Sequence, residues 1–510
     1  MESFSGRYQH KIKSAGEVAR LVGERPRQRK VIMCHGVFDV VHPGHLRHLL
    51  YAKTKADILV ASLTADVHIT KGRYRPHVPQ NLRAVNLAAF EIVDYVIIDD
   101  EPTPLQNLAL IKPDFFAKGY EYQARGLPPK TQEELAVIHA YGGEIIFTPG
   151  DYVFSSSQLI ELAPPSLRVE KLMTLMESTG IDFATIRRAL DSLEGHHVHV
   201  VGDTIVDSLT HTSMIGGQTK TPTISVRFEK QIDYIGGAGV VAQHLRAAGA
   251  EVTFSTVVGD DRLKNFVLDG LAKSAIHCRA VIDQTRPTTH KNAIVAGGYR
   301  LLKIDTLDNQ PISEDIIAAM TSAIAGVPAE AVVFSDFRHG VFNRRTIPAL
   351  IAAIPERAYK VADSQVASRW GNIVDFQDFD LITPNEREAR FALGDQDSGV
   401  RPLAASLYDA ARCKTLILKL VTCRYGEADA VDSFFVVDSF VDHLVDGVGA
   451  GDALLAYATL GMLATKSHVI ATIMGVMAAA CECERDGNIP IAVEDVHRKL
   501  ESVEREAKYT

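Results

Sequence analysis

The sequence predicts an α/β protein made of two consecutive domains, and three observations carry that expectation. The chain has 510 residues, more than one hydrophobic core ordinarily serves. Short apolar runs alternate with amphipathic stretches in two separate series, and such alternation implies parallel sheets covered by helices. Between the series lies a break with the paired prolines Pro164 and Pro165, followed by one isolated amphipathic helix.

The first series opens with VIMCHGVFDV from Val31, a buried strand running into a loop. HLRHLLYAKTKA follows as a helix, DILVASL as a strand, NLRAVNLAAFEIV as a helix and DYVIIDD as a strand; PDFFAKG and EIIFTPG close it. The second series starts at His196 with HHVHVVGDTIVD and continues through AEVTFSTVVG, AVVFSDF, AYKVADSQ, DLITPN and KTLILKLV. It ends in the helical DALLAYATLGMLA and SHVIATIMGVMAAACE. The expected boundaries are 28–162 for the first domain, 163–194 for a linker helix region able to pack on either neighbour, and 195–505 for the second.

Composition narrows the functional classes. Hydrophobic residues at 46% can fill ordinary cores. A net charge of −9 argues against nucleic-acid binding, which needs a basic face. The N-terminus has no apolar stretch of signal-peptide length and no run of about 18 apolar residues occurs, so a cytoplasmic protein without membrane contact is expected. Cys34, Cys278, Cys413, Cys423, Cys481 and Cys483 are scattered, without a CxxC pair, and are read as reduced thiols.

Two loops carry chemistry. In HGVFDVVHPGHLRHLLYAK, His42 and His45 stand three residues apart where a strand gives way to a helix. A helix N-terminus offers free N–H groups and a positive dipole end to phosphate, and Gly44 allows close approach. Two histidines there suit nucleotidyl transfer, in which charge builds up on an α-phosphoryl group. In VDGVGAGDALLAYATLGML, Gly449, Ala450 and Gly451 leave backbone N–H groups open at another helix start. Asp452 beside them can accept the proton of a hydroxyl nucleophile.

The first segment resembles the GxFDxxHxGH signature of cytidylyltransferase-like nucleotidyltransferases over about residues 28–162. That resemblance implies a Rossmann-like fold. It implies catalytic roles for His42, His45 and Lys71 (in DVHITKGRYRPHVP), and nucleotide contacts from Gly36, Phe38 and Arg83 (in NLRAVNLAAF). Lys118 and Gly119 (in PDFFAKGYEY) and Ser155, Ser156 and Ser157 (in VFSSSQLIE) complete the implied nucleotide site. The second segment resembles the GAGD signature of ribokinase-family (PfkB) carbohydrate kinases over about residues 196–500. It implies Asp452 as catalytic base and Gly449, Ala450, Gly451, Asn385 and Gly426 (in KLVTCRYGEADAV) around the nucleotide. Asp203, Asp207, Gly236, Gly237 and Asp336 are implied around the sugar, and Glu388 of ITPNEREA at Mg²⁺ through water. Val448 and Ala453 depart from the hydroxyl residues common at those positions.

The pairing is similar to the bifunctional heptose 7-phosphate kinase/heptose 1-phosphate adenylyltransferase family. KTPTISVR, YRLLKIDTLDN and VFSDFRHGVF carry that likeness, the last with Arg338 in place of a lysine-bearing turn. The resemblance implies ATP and Mg²⁺ as cofactors, sugar phosphate and nucleoside triphosphate substrates, ADP-heptose as product and a homodimer. CTP in the transferase, another sugar, or one domain retired to a regulatory role are the alternatives. The order of the two halves is reversed relative to that family.

Overall fold

The computed structural model describes residues 6–69, 75–119, 129–148, 167–215, 224–365, 372–419, 421–425 and 431–509. Lys71, Ser155, Ser156, Ser157 and Gly426 lie outside the described residues. The chain divides into two compact units at Leu167/Arg168, with the short segment Asp397–Arg401 grouped with the first.

The first unit is built on β1 (Val31–Gly36), β2 (Ile58–Thr64), β3 (Tyr95–Asp99), β4 (Phe115–Gly119) and β5 (Glu144–Thr148). The sheet is parallel throughout, in the order β3-β2-β1-β4-β5. Because β1 is flanked by β2 and β4, the chain direction of travel reverses there. In open parallel sheets that switch point, at the carboxyl ends of the strands, is where ligands settle. β1 and β2 are buried almost end to end, as strands covered on both faces must be. Val31, Met33, Val60 and Phe116 fill one face with Val18 and Leu108. Ile32, Cys34, Leu59 and Ala61 fill the other with Leu49, Leu87 and Ala88.

The second unit carries two sheets. The larger comprises β6 (His197–Gly202), β9 (Glu251–Gly259), β10 (His277–Asp283), β13 (Ala331–Asp336), β14 (Tyr359–Ser364), β15 (Leu381–Ile382), β16 (Thr415–Leu418), β17 (Val421–Tyr425) and β18 (Val431–Phe435). Its order is β10-β9-β6-β13-β14-β15-β16-β17-β18, parallel except for the final hairpin. The smaller sheet is formed by β7 (Thr204–Met214), β8 (Val226–Gly237), β11 (Thr289–Ala296) and β12 (Tyr299–Thr306), in the order β12-β11-β7-β8. The run HHVHVVGDTIVD, which reads as one strand, therefore breaks at Asp203 and serves both sheets.

The helices Ala450–Thr465 and His468–Cys483 are apolar nearly all round, and most of their residues are buried. A helix of that kind belongs inside a core; here the pair lies with Leu245 and Phe254 in the principal core of the unit. The expected linker stretch holds two helices, Arg168–Thr179 and Phe183–Asp191, and both join the second unit. Val169, Leu172, Met176 and Ile186 enter its core, and Arg168 pairs with Asp442 and Glu506, Lys171 with Asp438. Among the described residues no helix is long and apolar enough to cross a membrane.

Candidate functional sites

In the first unit, His42 is the N-cap of the helix Pro43–Lys53. Its extended backbone lets Nδ1 accept the Gly44 N–H at 3.1 Å. A ring nitrogen that accepts has no proton, so the neutral ring carries its hydrogen on Nε2, available as a donor. The His45 ring lies 4.0 Å from that of His42, centroid to centroid, tilted by 31°. Phe38, left-handed at φ 49°, backs His45 at 5.3 Å. His45 Nδ1 is buried with no hydrogen-bond partner. Burial first, and then the neighbouring His42 and His48, push His45 down to about 4; burial lowers His42 as well. His45 is thus a neutral imidazole beside His42 at a helix N-terminus, and the Nε2–H of His42 is available to an anion.

Neighbouring strands complete the rim. Lys118 ends β4 and is ion-paired with the buried Glu134, its ammonium 5.4 Å above the Phe116 ring. Thr148 at the end of β5 donates to the Lys118 carbonyl at 3.3 Å and meets His48 Nδ1 at 2.9 Å. Gly36 lies at the end of β1, where the space beside its Cα is taken up by the Phe38 ring, 3.4 Å from where a Cβ would sit. Asp39, which the motif reading passed over, accepts the Val78 N–H at 2.9 Å and so holds the chain that leaves the Lys71 segment.

Arg83, expected at the nucleotide, is taken up by protein partners in this structure. Its side chain is fully buried, and its guanidinium donates to the carbonyls of Val78 and Thr64, at 2.9 and 3.0 Å, to that of Val37, and to the Asp66 carboxylate. In this arrangement it clamps the loop after β1 to the loop after β2. A planar fork of donors suits several carbonyls at once. Replacing Arg83 by Met leaves those carbonyls and Asp66 unsatisfied, and breaking such a buried pair costs about 3–5 kcal/mol. Hydrogen–deuterium exchange of the full chain should show lost protection over residues 37–83 with the second unit unaffected; unchanged protection there would refute the clamp.

In the second unit the turn Gly449–Asp452 begins the buried helix Ala450–Thr465. Gly449 is left-handed (φ 85°, ψ −18°) and provides no side-chain cap; the Asp452 N–H donates to the Gly449 carbonyl at 2.9 Å, so the N–H groups of Ala450 and Gly451 are the ones turned toward an anion. Asp452 is buried, and its Oδ1 has no hydrogen-bond partner. Burial, then Asp363, raise its carboxyl, Lys419 opposes them, and it reaches about 8. A cavity of about 370 Å³ reaches Val448, next to the turn, and is lined by Asp207, Tyr234, Lys291, Lys303, Asp446 and Asn488 among others. A larger hollow of about 650 Å³ lies at Arg338, Asn343, Asn372 and Phe391; the smaller one holds Asp207, whose charge acts on Asp452, and reaches Val448, one residue before the turn.

The three acidic residues expected around a sugar separate here. Asp207 lines the cavity, and Gly236 gives it room, since a Cβ there would stand 2.0 Å from Asp207 Oδ2. Gly237, at φ 60°, turns the chain into the helix Ala238–Ala247. Asp203 accepts the N–H groups of Phe337, His339 and Val341 at 3.1, 3.2 and 3.1 Å. In this structure it anchors the loop 337–341. Asp336 accepts from Ser364 Oγ and the Arg338 N–H, both at 2.8 Å, and pairs with Arg338 Nε at 2.7 Å; burial drives it up to about 7. It too is occupied inside the protein.

Asn385 and Glu388 form a reciprocal cap on the helix Glu386–Leu393. Asn385 Oδ1 accepts the Glu388 N–H at 2.9 Å, and Glu388 Oε2 accepts that of Asn385 at 2.7 Å. Burial raises Glu388 to about 7. Three residues went unnoticed in the sequence. Asp363, ending β14, accepts from Thr383 Oγ1 at 3.0 Å. Lys419, following β16, lies 3.4 Å from Asp363. Glu482 is buried with neither oxygen hydrogen-bonded, beside Gly449. The available signal was a lysine inside the apolar run TLILKLV. Among the described residues no group of three His, Cys, Asp or Glu is placed to hold a metal directly. A carboxylate such as Glu388 suits Mg²⁺ that keeps its waters and rides on nucleotide phosphates.

Two phosphate-directed helix starts, each at the carboxyl ends of a parallel sheet, define a two-domain α/β transferase. Residues 196–494 match the model of the pfkB family carbohydrate kinases, and the chain belongs to that family. Residues 33–162 match the cytidylyltransferase-like family model, so the nucleotidyltransferase-like domain precedes the kinase domain. Over that first region the chain is similar to bifunctional protein HldE of Campylobacter curvus, 39% identical over 120 residues, covering 23% of this chain and 25% of the relative. HldE of Pelobacter propionicus is 36% identical over 138 residues, covering 26% and 27%. The chain thus spans about a quarter of the length of these curated relatives. Phosphofructokinase-2 of Escherichia coli, in complex with potassium, shares the fold of the second unit: TM-score 0.50, 16% identity, 61% of this chain and 100% of that one.

Proposed function

We propose that the chain is a bifunctional enzyme of nucleotide-activated sugar synthesis. Its second unit phosphorylates O1 of D-glycero-D-manno-heptose 7-phosphate from ATP, and its first unit joins a sugar 1-phosphate to a nucleotide, giving ADP-heptose and pyrophosphate. The observation that carries this is the presence, on one chain, of the Asp452 turn and the His42/His45 pair, together with the likeness of the first region to proteins named bifunctional HldE. The basic side chains Lys291, Arg300 and Lys303 on the cavity wall favour a sugar that already bears phosphate.

In the kinase, Asp452 takes the proton of the attacking hydroxyl, Asp207 orients the sugar, and the N–H groups of the Gly449–Asp452 turn receive the phosphoryl group. Gly426 would line the nucleotide in this reading. In the transferase, His42 and His45 donate to the α-phosphoryl oxygens; Lys71, Lys118, Gly119 and the three serines 155–157 are assigned to the triphosphate. Mg²⁺, near Glu388 through water, would neutralise polyphosphate charge. The reading includes a cytoplasmic homodimer. Tyr299, Leu302 and Ile304 of β12 and Phe228 of β8 leave apolar surface on the small sheet for a second copy.

Phosphorus NMR tests the proposal. With Mg-ATP and the heptose 7-phosphate, a 1,7-bisphosphate is expected; with heptose 1-phosphate and ATP, ADP-heptose and pyrophosphate. Product from CTP instead of ATP would move the transferase to the cytidylyl class its family model is named for. Excess EDTA should stop both reactions, and full rates in EDTA would remove the metal from the account. No turnover in either tube by folded protein would discard the heptose.

A further inference from the structure

We propose that Lys419 is a catalytic residue of the kinase, binding the transferring phosphoryl group alongside the open N–H groups of the Gly449–Asp452 turn; this rests on the kinase reading above. Three independent observations converge on it. Lys419 Nζ lies 2.7 Å from where a Cβ on Gly451 would stand, so the ammonium packs against the backbone of the turn and a side chain there would displace it. Its own backbone is fixed, since the Lys419 N–H donates to the Pro384 carbonyl at 3.0 Å just past the end of β16. Its surroundings are acidic: Asp363 stands 3.4 Å away, and Glu388 and Asp452 act on it in the same sense.

Those neighbours decide the role. Burial works against the ammonium, yet Asp363, Glu388 and Asp452 together outweigh it and raise its pKa, so it is a lasting cation at neutral pH. Asp363 is already held by Thr383 at 3.0 Å, and its contact with Lys419 is long for a charge-assisted hydrogen bond. An ammonium has three donors, and the bond to Asp363 is the one hydrogen bond it makes among the described residues. A half-buried point charge beside an anion-binding helix start is suited to phosphate.

The step balances simply. The sugar oxygen forms a bond to the γ-phosphorus, and the bond from that phosphorus to the β-phosphate oxygen breaks with its electron pair leaving on ADP. The hydroxyl proton passes to Asp452. Negative charge grows on the oxygens between the turn and Lys419, where a fixed cation stabilises it most. Lys419 also lowers the pKa of Asp452, which favours its basic form.

The full chain carrying Lys419→Met or Lys419→Arg tests this, with hydrogen–deuterium exchange over residues 168–509 as the control for folding of the kinase unit and nucleotidyl transfer as the control for the first unit. Lys419→Met should cut the kinase kcat by roughly 10²–10³, leave pyrophosphate release by the first unit unchanged, and move the acid limb of kcat/KM to higher pH. Lys419→Arg should keep the limb in place and recover part of the rate. Kinase activity within threefold of wild type in Lys419→Met, or a lower kcat with an unmoved acid limb, would overturn the proposal. A wild-type chain silent toward a whole panel of sugar phosphates would instead overturn the kinase reading, and this inference with it.

Discussion

Asp452→Asn should abolish sugar phosphorylation and leave nucleotidyl transfer intact. Asparagine keeps the shape of the side chain but cannot take up the hydroxyl proton, and general-base catalysis of this kind contributes about 10²–10⁴ in rate. The wild-type pH profile provides a second reading of the same residue. In the free protein burial holds the Asp452 carboxyl up at about 8, and kcat/KM reports groups of the free enzyme. It should therefore rise with pH up to about 8 and level off above. The linkage runs the other way for stability. Between its ordinary value of 3.8 and about 8, the folded state holds the proton that the unfolded chain has released. The contribution of this group to stability is then fully present below the unfolded value and is lost as pH rises through about 8. Asp452→Asn removes that loss and should melt at a higher temperature than wild type at pH 8. Asp452→Asn protein that phosphorylates sugar within threefold of wild type would remove Asp452 from the chemistry.

His45→Ala is expected to have the converse effect, a loss of about 10²–10³ in nucleotidyl transfer with phosphorylation spared. The ring is held from two sides, by Phe38 at 5.3 Å and His42 at 4.0 Å, and alanine removes a donor that solvent cannot replace in a buried position. Because burial keeps His45 neutral down to about 4, it needs no protonation to act. The transferase kcat/KM should show no acid limb from His45 between pH 6 and 8. A histidine-type limb near 6.5, or simultaneous loss of phosphorylation in folded His45→Ala protein, would contradict the assignment of two separate sites.

Arg83 and Asp203 show where reading the sequence stops. Both occupy the expected positions in their motifs, and each is a polar group in an apolar neighbourhood. Whether such a group meets a ligand or its own backbone depends on which carbonyls and N–H groups the fold brings to it. Arg83 met those of Val37, Thr64 and Val78, and Asp203 met those of Phe337, His339 and Val341. The spacing that suggests both roles is the same. Lys419 is the opposite case. In the sequence it interrupts an apolar strand, and only the convergence of β14, the helix Glu386–Leu393 and the Gly449 turn makes it a cation among three carboxylates.

Local chemistry is what the sequence determined by itself. Apolar periodicity set the two α/β series, because a buried strand or helix must present its apolar side chains at the period of its backbone. Small residues before a helix set the two phosphate-directed turns, because open N–H groups need an uncluttered approach. Tertiary structure alone decided the splitting of one apparent strand at Asp203 between two sheets, and the joining of the linker helices to the second unit. It also decided which of Asp203, Asp207 and Asp336 faces the cavity. Those outcomes depend on contacts between residues distant in the chain, which no local pattern encodes; burying a charge is costly enough that each group takes the partners that the folded neighbourhood supplies.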